Sequence, residues 1–219
     1  MIKAILFDWG GVFNLKHEAI AGYDELAARY GHTPESFYDL LYGGADWQQA
    51  RVGGLSSRQF WARIHRELGA ADDLDTFIEA LFADDRIDPV LVALAETLQP
   101  RYPLGLLSNA LDDLEQLLEQ RWQVSHLFEV IVNSATAGVA KPEPAAYQLA
   151  VDNLGFAPAE TLFIDDKPRN VDAARALGIP TIHFTGTPAL LAELAELAII
   201  GPAERAALES LLSAPAAGQ

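Results

Sequence analysis

The chain has 219 residues, half of them hydrophobic, which is enough for one large domain or one domain with a smaller insertion. Acidic residues number 31 against 15 basic, a formal charge of −16, which argues against nucleic acid or an anionic membrane surface as a partner and demands a local positive site for any anionic ligand. With no cysteine, disulfides, thiolate metal sites and a cysteine nucleophile are excluded.

No basic-then-apolar leader opens the chain and no apolar stretch reaches membrane-spanning length, so a soluble, cytoplasmic protein is expected. The first apolar run, KAILFD, reads as a strand ending on Asp8, and Gly10 and Gly11 loosen the turn behind it. From Leu15 to about Asp88 no strand pattern occurs. Helical text takes its place: HEAIAGYDELAARYG, TPESFYDLLYGG, SSRQFWARIHRELG and DLDTFIEALFADD, the third with Ser56 or Ser57 placed to cap it.

Beyond this block, YPLGLLS, FEVIVNS, TLFIDD and IPTIHF are short apolar runs of the kind that both faces of a parallel sheet bury. Helical patterns alternate with them. ALDDLEQLLEQRW sets Leu111, Leu114, Leu117 and Leu118 on one stripe, PEPAAYQLAVDNLG does the same and stops at Gly155, and NVDAARALG stops at Gly178. PALLAELAELAII, broken by Glu193 and Glu196, reads as an amphipathic helix, and the tail SAPAAGQ as frayed. The expectation is an α/β fold with right-handed crossovers. Its core comprises residues 1–14 and 89–219, and an all-helical insertion occupies residues 15–88.

Ligands of open α/β sheets sit beyond the carboxyl ends of the strands. Those ends deliver Asp8, then Ser108 and Asn109, then Asp165 and Asp166, and Lys141 stands ahead of a helix in GVAKPEP. Converging carboxylates need a cation between them, and oxygen ligands without His or Cys favour Mg²⁺. A metal ion and Lys141 form a positive pocket that suits phosphate, with a carboxylate at its edge able to attack phosphorus. Gly10 and Gly11 then let backbone groups approach metal and phosphate closely. Singly, each residue has a structural explanation: a turn cap, a helix N-cap, a solvated charge. Their placement at successive strand ends is what favours a site.

In order and spacing, FDWGGV, LLSNA, AKPEPAAY and FIDDKPRNVDAARALGI resemble the four motifs of the haloacid dehalogenase superfamily, over essentially the whole chain. The resemblance implies a Rossmann-like core closed by a small helical cap. It also implies roles: Asp8 as nucleophile, Ser108 and Asn109 holding the transferring phosphoryl group, and Lys141 neutralising charge between them. Asp166 and the Gly10 carbonyl would bind Mg²⁺, and Asp165 would support the metal or Lys141. Asn170 would orient the loop of the fourth motif. From the residues themselves, Gly11 is a candidate substrate contact, and Arg51 is either a substrate contact or a surface charge. One departure stands out: most phosphatases of the superfamily carry a second Asp where this chain has Gly10. A lost general acid costs ~10²–10⁴-fold in rate, least for leaving groups that need little protonation.

The implied function is a Mg²⁺-dependent phosphomonoester hydrolase of a small phosphorylated metabolite, possible substrates including a sugar phosphate. The alternatives are a metal-independent 2-haloacid dehalogenase, in which the Asp165–Asp166 pair would stand unneutralised, and a catalytically weak binding protein. A phosphonate-cleaving enzyme would need a cap lysine, and only Lys16 stands near the cap. In the cap, Trp47, Phe60 and Trp61 read as core and Arg58 as a surface charge, while a loop at Gly53–Gly54 could carry Arg51 into the site. Trp9 reads as packing beside the first strand, and neither His17 nor His65 is assigned chemistry.

Overall fold

The computed structural model describes residues 1–14, 23–83 and 85–212. Lys16, His17 and the tail from 213 lie outside the described residues. Among the described residues there are five strands, β1 (Ala4–Phe7), β2 (Leu104–Ser108), β3 (Val130–Asn133), β4 (Thr161–Asp165) and β5 (Thr181–His183). They pair in parallel in the order β3-β2-β1-β4-β5. β1 is central, so the chain leaves it toward β2 and β3 on one side and reaches β4 and β5 on the other. That reversal places a ligand crevice at the carboxyl end of β1.

Alternation along the strands explains why both faces are covered. Ile5 and Phe7 join one apolar cluster with Leu104, Leu106, Leu162 and Ile164, covered by α6 (Pro89–Leu98), α7 (Leu114–Gln120), α11 (Thr187–Glu196) and α12 (Pro202–Leu212). Ala4 and Leu6 face the opposite way, into a cluster with Leu107, Val132 and Phe163 under α9 (Pro144–Leu154) and α10 (Pro168–Ala176). The sheet is thus a buried middle layer. No helix among the described residues is long and apolar enough to cross a membrane.

Between β1 and β2 the chain forms α1 (Asp24–Arg29), α2 (Pro34–Tyr42), α3 (Ala45–Ala50), α4 (Ser57–Glu67) and α5 (Leu74–Phe82), followed by α6. Residues of α1–α5 gather in a third cluster around Phe37, Phe60, Trp61 and Phe77. The α4 cap is Ser56, which accepts from the Gln59 amide while the Gln59 side chain accepts from the Ser56 amide. Helices α3, α6, α12 and the four-residue α8 (Ser134–Ala137) were not expected from the sequence. Six residues of α3 are too few for a periodic signal, and the text of α6, apolar at all but Glu96 and Thr97, shows little contrast between its faces. Its start is nonetheless marked by Asp88, whose side chain accepts from the Val90 amide ahead of Pro89.

The stripe expected from Leu111 is shorter than the text suggests, because α7 begins at Leu114. The residues ahead of it are drawn to other partners. The Ala110 amide donates to Ser134 Oγ at 3.1 Å. Asp112 and Asp113 accept from the amide and hydroxyl of Ser57, at 2.7 and 2.5 Å, at the start of α4. Leu111 turns away to join the apolar cluster of the cap. These contacts clasp the helical insertion to the core beside the end of β2.

A second clasp lies at Gly53. Its φ is +80°, and a Cβ there would stand 2.4 Å from the Ala135 carbonyl oxygen. Gly31, also at positive φ, has open space around it. Gly53→Ala is therefore expected to cost about 2 kcal/mol or more, from overpacking added to backbone strain, and Gly31→Ala only the strain, about 1 kcal/mol. Urea unfolding of the two variants checks this. Equal losses would mean that the insertion does not rest on Ala135.

Candidate active site

Asp8 follows the last residue of β1, and its amide donates to Ile164 of the neighbouring strand at 2.9 Å. This bond extends the ladder one residue past the strand and fixes the carboxylate at the sheet's edge. Behind it the chain turns sharply. The amides of Val12, Phe13 and Asn14 all donate to the Trp9 carbonyl, and Gly11 supplies the left-handed backbone the turn needs, with φ +83°. The Gly11 amide donates within this turn, to Asn14 O at 3.1 Å.

Lys141 is the centre of the site. It is buried, and its Nζ lies 2.7 Å from Asp8 Oδ1 and 2.7 Å from Asp165 Oδ2. Its backbone is pinned by Asn109, whose side-chain amide donates to Lys141 O and whose Oδ1 accepts from Lys141 N, both at 2.8 Å. Asp165 receives more donors than Lys141 alone. The Lys167 amide reaches its Oδ1 at 2.8 Å and Asn170 Nδ2 reaches both oxygens at 3.0 Å. Tyr147, from α9, donates to Asn170 O at 3.0 Å and steadies that support. Asp165 thus spends its oxygens on holding Lys141 and the loop.

The two carboxylates sharing this ammonium titrate in opposite directions. Asp8 is pushed up to about 7, chiefly by burial, with Lys141 pulling the other way and Asp165 adding repulsion. Burial also acts on Asp165, but Lys141, the Lys167 amide and Asn170 outweigh it and leave its pKa lowered. Among the described residues Asp8 has fewer donors: beyond Lys141, the Trp9 amide at 2.7 Å. For Lys141 burial works against the charge, yet the two carboxylates prevail and its pKa is raised, so it stays an ammonium.

A carboxyl whose folded pKa is raised contributes stability that is full below its unfolded value, near 3.9, and is lost as pH rises through the folded value, here about 7. Asp165, lowered, contributes a constant amount over that window. In EDTA, the stability difference between wild type and Asp8→Asn is therefore expected to move in favour of the variant from pH 5 to pH 8. Urea midpoints across that range test it. Parallel curves would mean that Asp8 is ionised throughout.

Oxygen atoms of Asp8, Asp165 and Asp166 lie within 4.8 Å of one another, so this triad can hold a metal ion. The donor set is oxygen only, which fits a hard divalent cation. Asp166 is positioned in part by His183 of β5, whose Nε2 donates to the Asp166 carbonyl at 2.9 Å.

The triad lies against a cavity of about 290 Å³, lined on this side by Asp8, Gly10, Ser108, Asn109 and Lys141. Gly11 is not among its lining residues, whereas Arg51 is, and its Nη1 approaches Lys141 O at 3.4 Å. Lys167 and Arg169 also line it, two cations that the sequence reading passed over. Arg51 and Arg169 are close enough that, after burial, Arg169 is the main influence lowering the Arg51 pKa. The signal was present in DDKPRN, where two basic residues follow the acidic pair at once. Arg58, by contrast, pairs with Asp75 at 2.6 Å on the exposed surface, where such pairs contribute little. His65 is held by Asp72 O at 2.8 Å and does not line the cavity.

Comparison with known proteins agrees with this architecture. A sesquiterpene phosphatase of Aspergillus oryzae is 27% identical over 203 residues, covering 89% of this chain and 96% of that protein. A bifunctional epoxide hydrolase of Rattus norvegicus is 31% identical over 124 residues, 55% of this chain but only 22% of that longer protein. Among solved structures, a HAD family enzyme of Bacteroides thetaiotaomicron, in complex with magnesium and inorganic phosphate, superposes with a TM-score of 0.67. It is 26% identical, over 83% of this chain and 93% of that one. The family model described as haloacid dehalogenase-like hydrolase matches residues 2–178, and the chain belongs to that family.

Proposed function

We propose that the protein is a Mg²⁺-dependent phosphomonoester hydrolase that works through a phospho-aspartyl intermediate at Asp8. The observation that carries this reading is the buried Lys141 ammonium bridging Asp8 and Asp165 beside a cavity lined by Asp8 and Lys141, with an Asp166 oxygen within 4.8 Å of oxygens of both carboxylates. Asp8, Asp166 and the Gly10 carbonyl would hold the metal ion, which supplies positive charge to the phosphoryl oxygens and to the triad. Asp165 serves chiefly to position Lys141. The Mg²⁺ and phosphate in the Bacteroides structure and the phosphatase activity in the name of the Aspergillus relative support the same class.

One Asp8 oxygen attacks phosphorus in line with the ester oxygen, forming an acyl phosphate as the P–O bond to the leaving group breaks. Arg51, Lys141, Lys167 and Arg169 offer cations around the phosphoryl group, as positioning and charge carry most of the rate in phosphoryl transfer. Ser108 lies at the same end of the cavity, where its hydroxyl can serve the phosphoryl oxygens. Asn109 acts largely through the Lys141 backbone. Gly10 brings no side chain, so the leaving oxygen takes its proton from solvent. Water then hydrolyses the acyl phosphate and regenerates the Asp8 carboxylate. Residues 15–88 act as the cap over this chemistry.

Release of p-nitrophenol from p-nitrophenyl phosphate, with Mg²⁺ and then with excess EDTA, tests the reading. Turnover is expected with Mg²⁺ and a loss of at least ~10²-fold in EDTA. Undiminished turnover in EDTA defeats the metal requirement. Halide release from a 2-haloacid without phosphatase activity would establish the dehalogenase instead.

A further inference from the structure

Besides Asp8 and the cations, the lining of this cavity has a second part of different chemistry. All four tryptophans of the chain, Trp9, Trp47, Trp61 and Trp122, line it, together with Leu114 and Leu117. Trp9 and Trp122 pack ring against ring, centroids 4.8 Å apart, which joins the strand-end turn to the segment after α7 in one wall. Trp47 and Trp61 come from the helical insertion, on α3 and α4. Two polar groups on this wall are already engaged. The Tyr42 hydroxyl is bonded to that of Tyr23 at 3.1 Å, and the Asp113 carboxylate accepts from Ser57 Oγ at 2.5 Å. Asp39 and Asp113, which also line the cavity, oppose a second anionic group on a ligand.

We infer that the organic end of this cavity takes an uncharged, apolar ring system, so that the preferred substrate is the phosphate monoester of a hydrophobic aromatic alcohol. This rests on the phosphatase reading of the site. The cations at one end hold the phosphate against Asp8, and the tryptophan and leucine wall receives the rings, where flat aromatic surface is removed from water. Gly10 fits the same substrate. An aryloxide departs without the proton that an alkoxide requires, so the absent side chain costs little.

The test is kcat/KM for 1-naphthyl phosphate against phenyl phosphate, whose leaving groups have similar acidity, with glucose 6-phosphate, phosphoserine and phosphocholine beside them. The naphthyl ester is expected to exceed the phenyl ester by about tenfold and the three polar esters by more. Leu117, only half-buried, can carry a polar side chain, and Leu117→Gln is expected to bring the naphthyl-to-phenyl ratio down toward 1. A preference for glucose 6-phosphate or phosphoserine overturns the inference while leaving the phosphatase reading intact. A preference for phosphocholine assigns the aromatic wall to an ammonium group and equally overturns it. If no ester turns over, the phosphatase reading falls. Calorimetric binding of 1-naphthyl against phenyl phosphate then decides the cavity on its own: tighter naphthyl binding upholds the apolar wall, and equal binding rejects it.

Discussion

Asp8→Asn is expected to abolish turnover, with kcat/KM falling by ~10⁴-fold or more. Losses of this size accompany removal of a nucleophile from a site whose remaining groups act with it as a unit. Asn keeps the shape of Asp8, and its carbonyl oxygen can still accept from Lys141 Nζ and from the Trp9 amide, which now reach Asp8 Oδ1 at 2.7 Å. The variant should therefore fold, bind phosphate esters and fail only in the covalent step. Acid-quenched wild type incubated with a labelled phosphoryl donor should carry label that alkali releases, as an acyl phosphate does, and the variant should carry none. A variant that retains a tenth of the wild-type rate would move the attacking group away from Asp8.

The second large effect is expected at Lys141, and there it falls on stability as well as rate. Lys141→Met preserves most of the stem and removes the charge. Asp8 and Asp165 would then face each other, buried, without the ammonium that now contacts both at 2.7 Å. Breaking a buried pair by removing one partner costs about 3–5 kcal/mol, most of it the penalty on the charge left behind. The loss should be larger at pH 8 than at pH 5, where Asp8, with its pKa pushed up to about 7 even beside Lys141, is already protonated. Mg²⁺ should restore part of it by supplying a cation to the same carboxylates. Adding Asp165→Asn should recover stability rather than add a second loss, because it removes one of the unpaired charges. Urea titrations of the two single variants and the double variant read this out. Strictly additive losses would mean that Lys141 and Asp165 do not act as a pair.

The sequence carried the alternation of short apolar runs and helical text, and with it the parallel sheet, since strands buried on both faces must be apolar throughout. It also carried the strand-end residues, because a carboxylate directly after AILF or TLFI is conspicuous where water-facing loops would otherwise begin. Helix stops at Gly155 and Gly178 were legible for a local reason, a left-handed residue where the helix ends. Three things were not local and needed the fold. The resemblance left Asp165 to support either the metal or Lys141, and only the packing shows that Lys141, Asn170 and the Lys167 amide occupy its oxygens. Leu111 leaves the helical stripe because Ser134 and Ser57, distant in the chain, take the hydrogen-bonding groups around it. Tryptophans from four separate segments form one wall beside Asp8. Periodicity and end chemistry depend on neighbours along the chain and can be read from it. The sharing of one ammonium by two carboxylates and the lining of a cavity depend on distances across it, and only packing sets those.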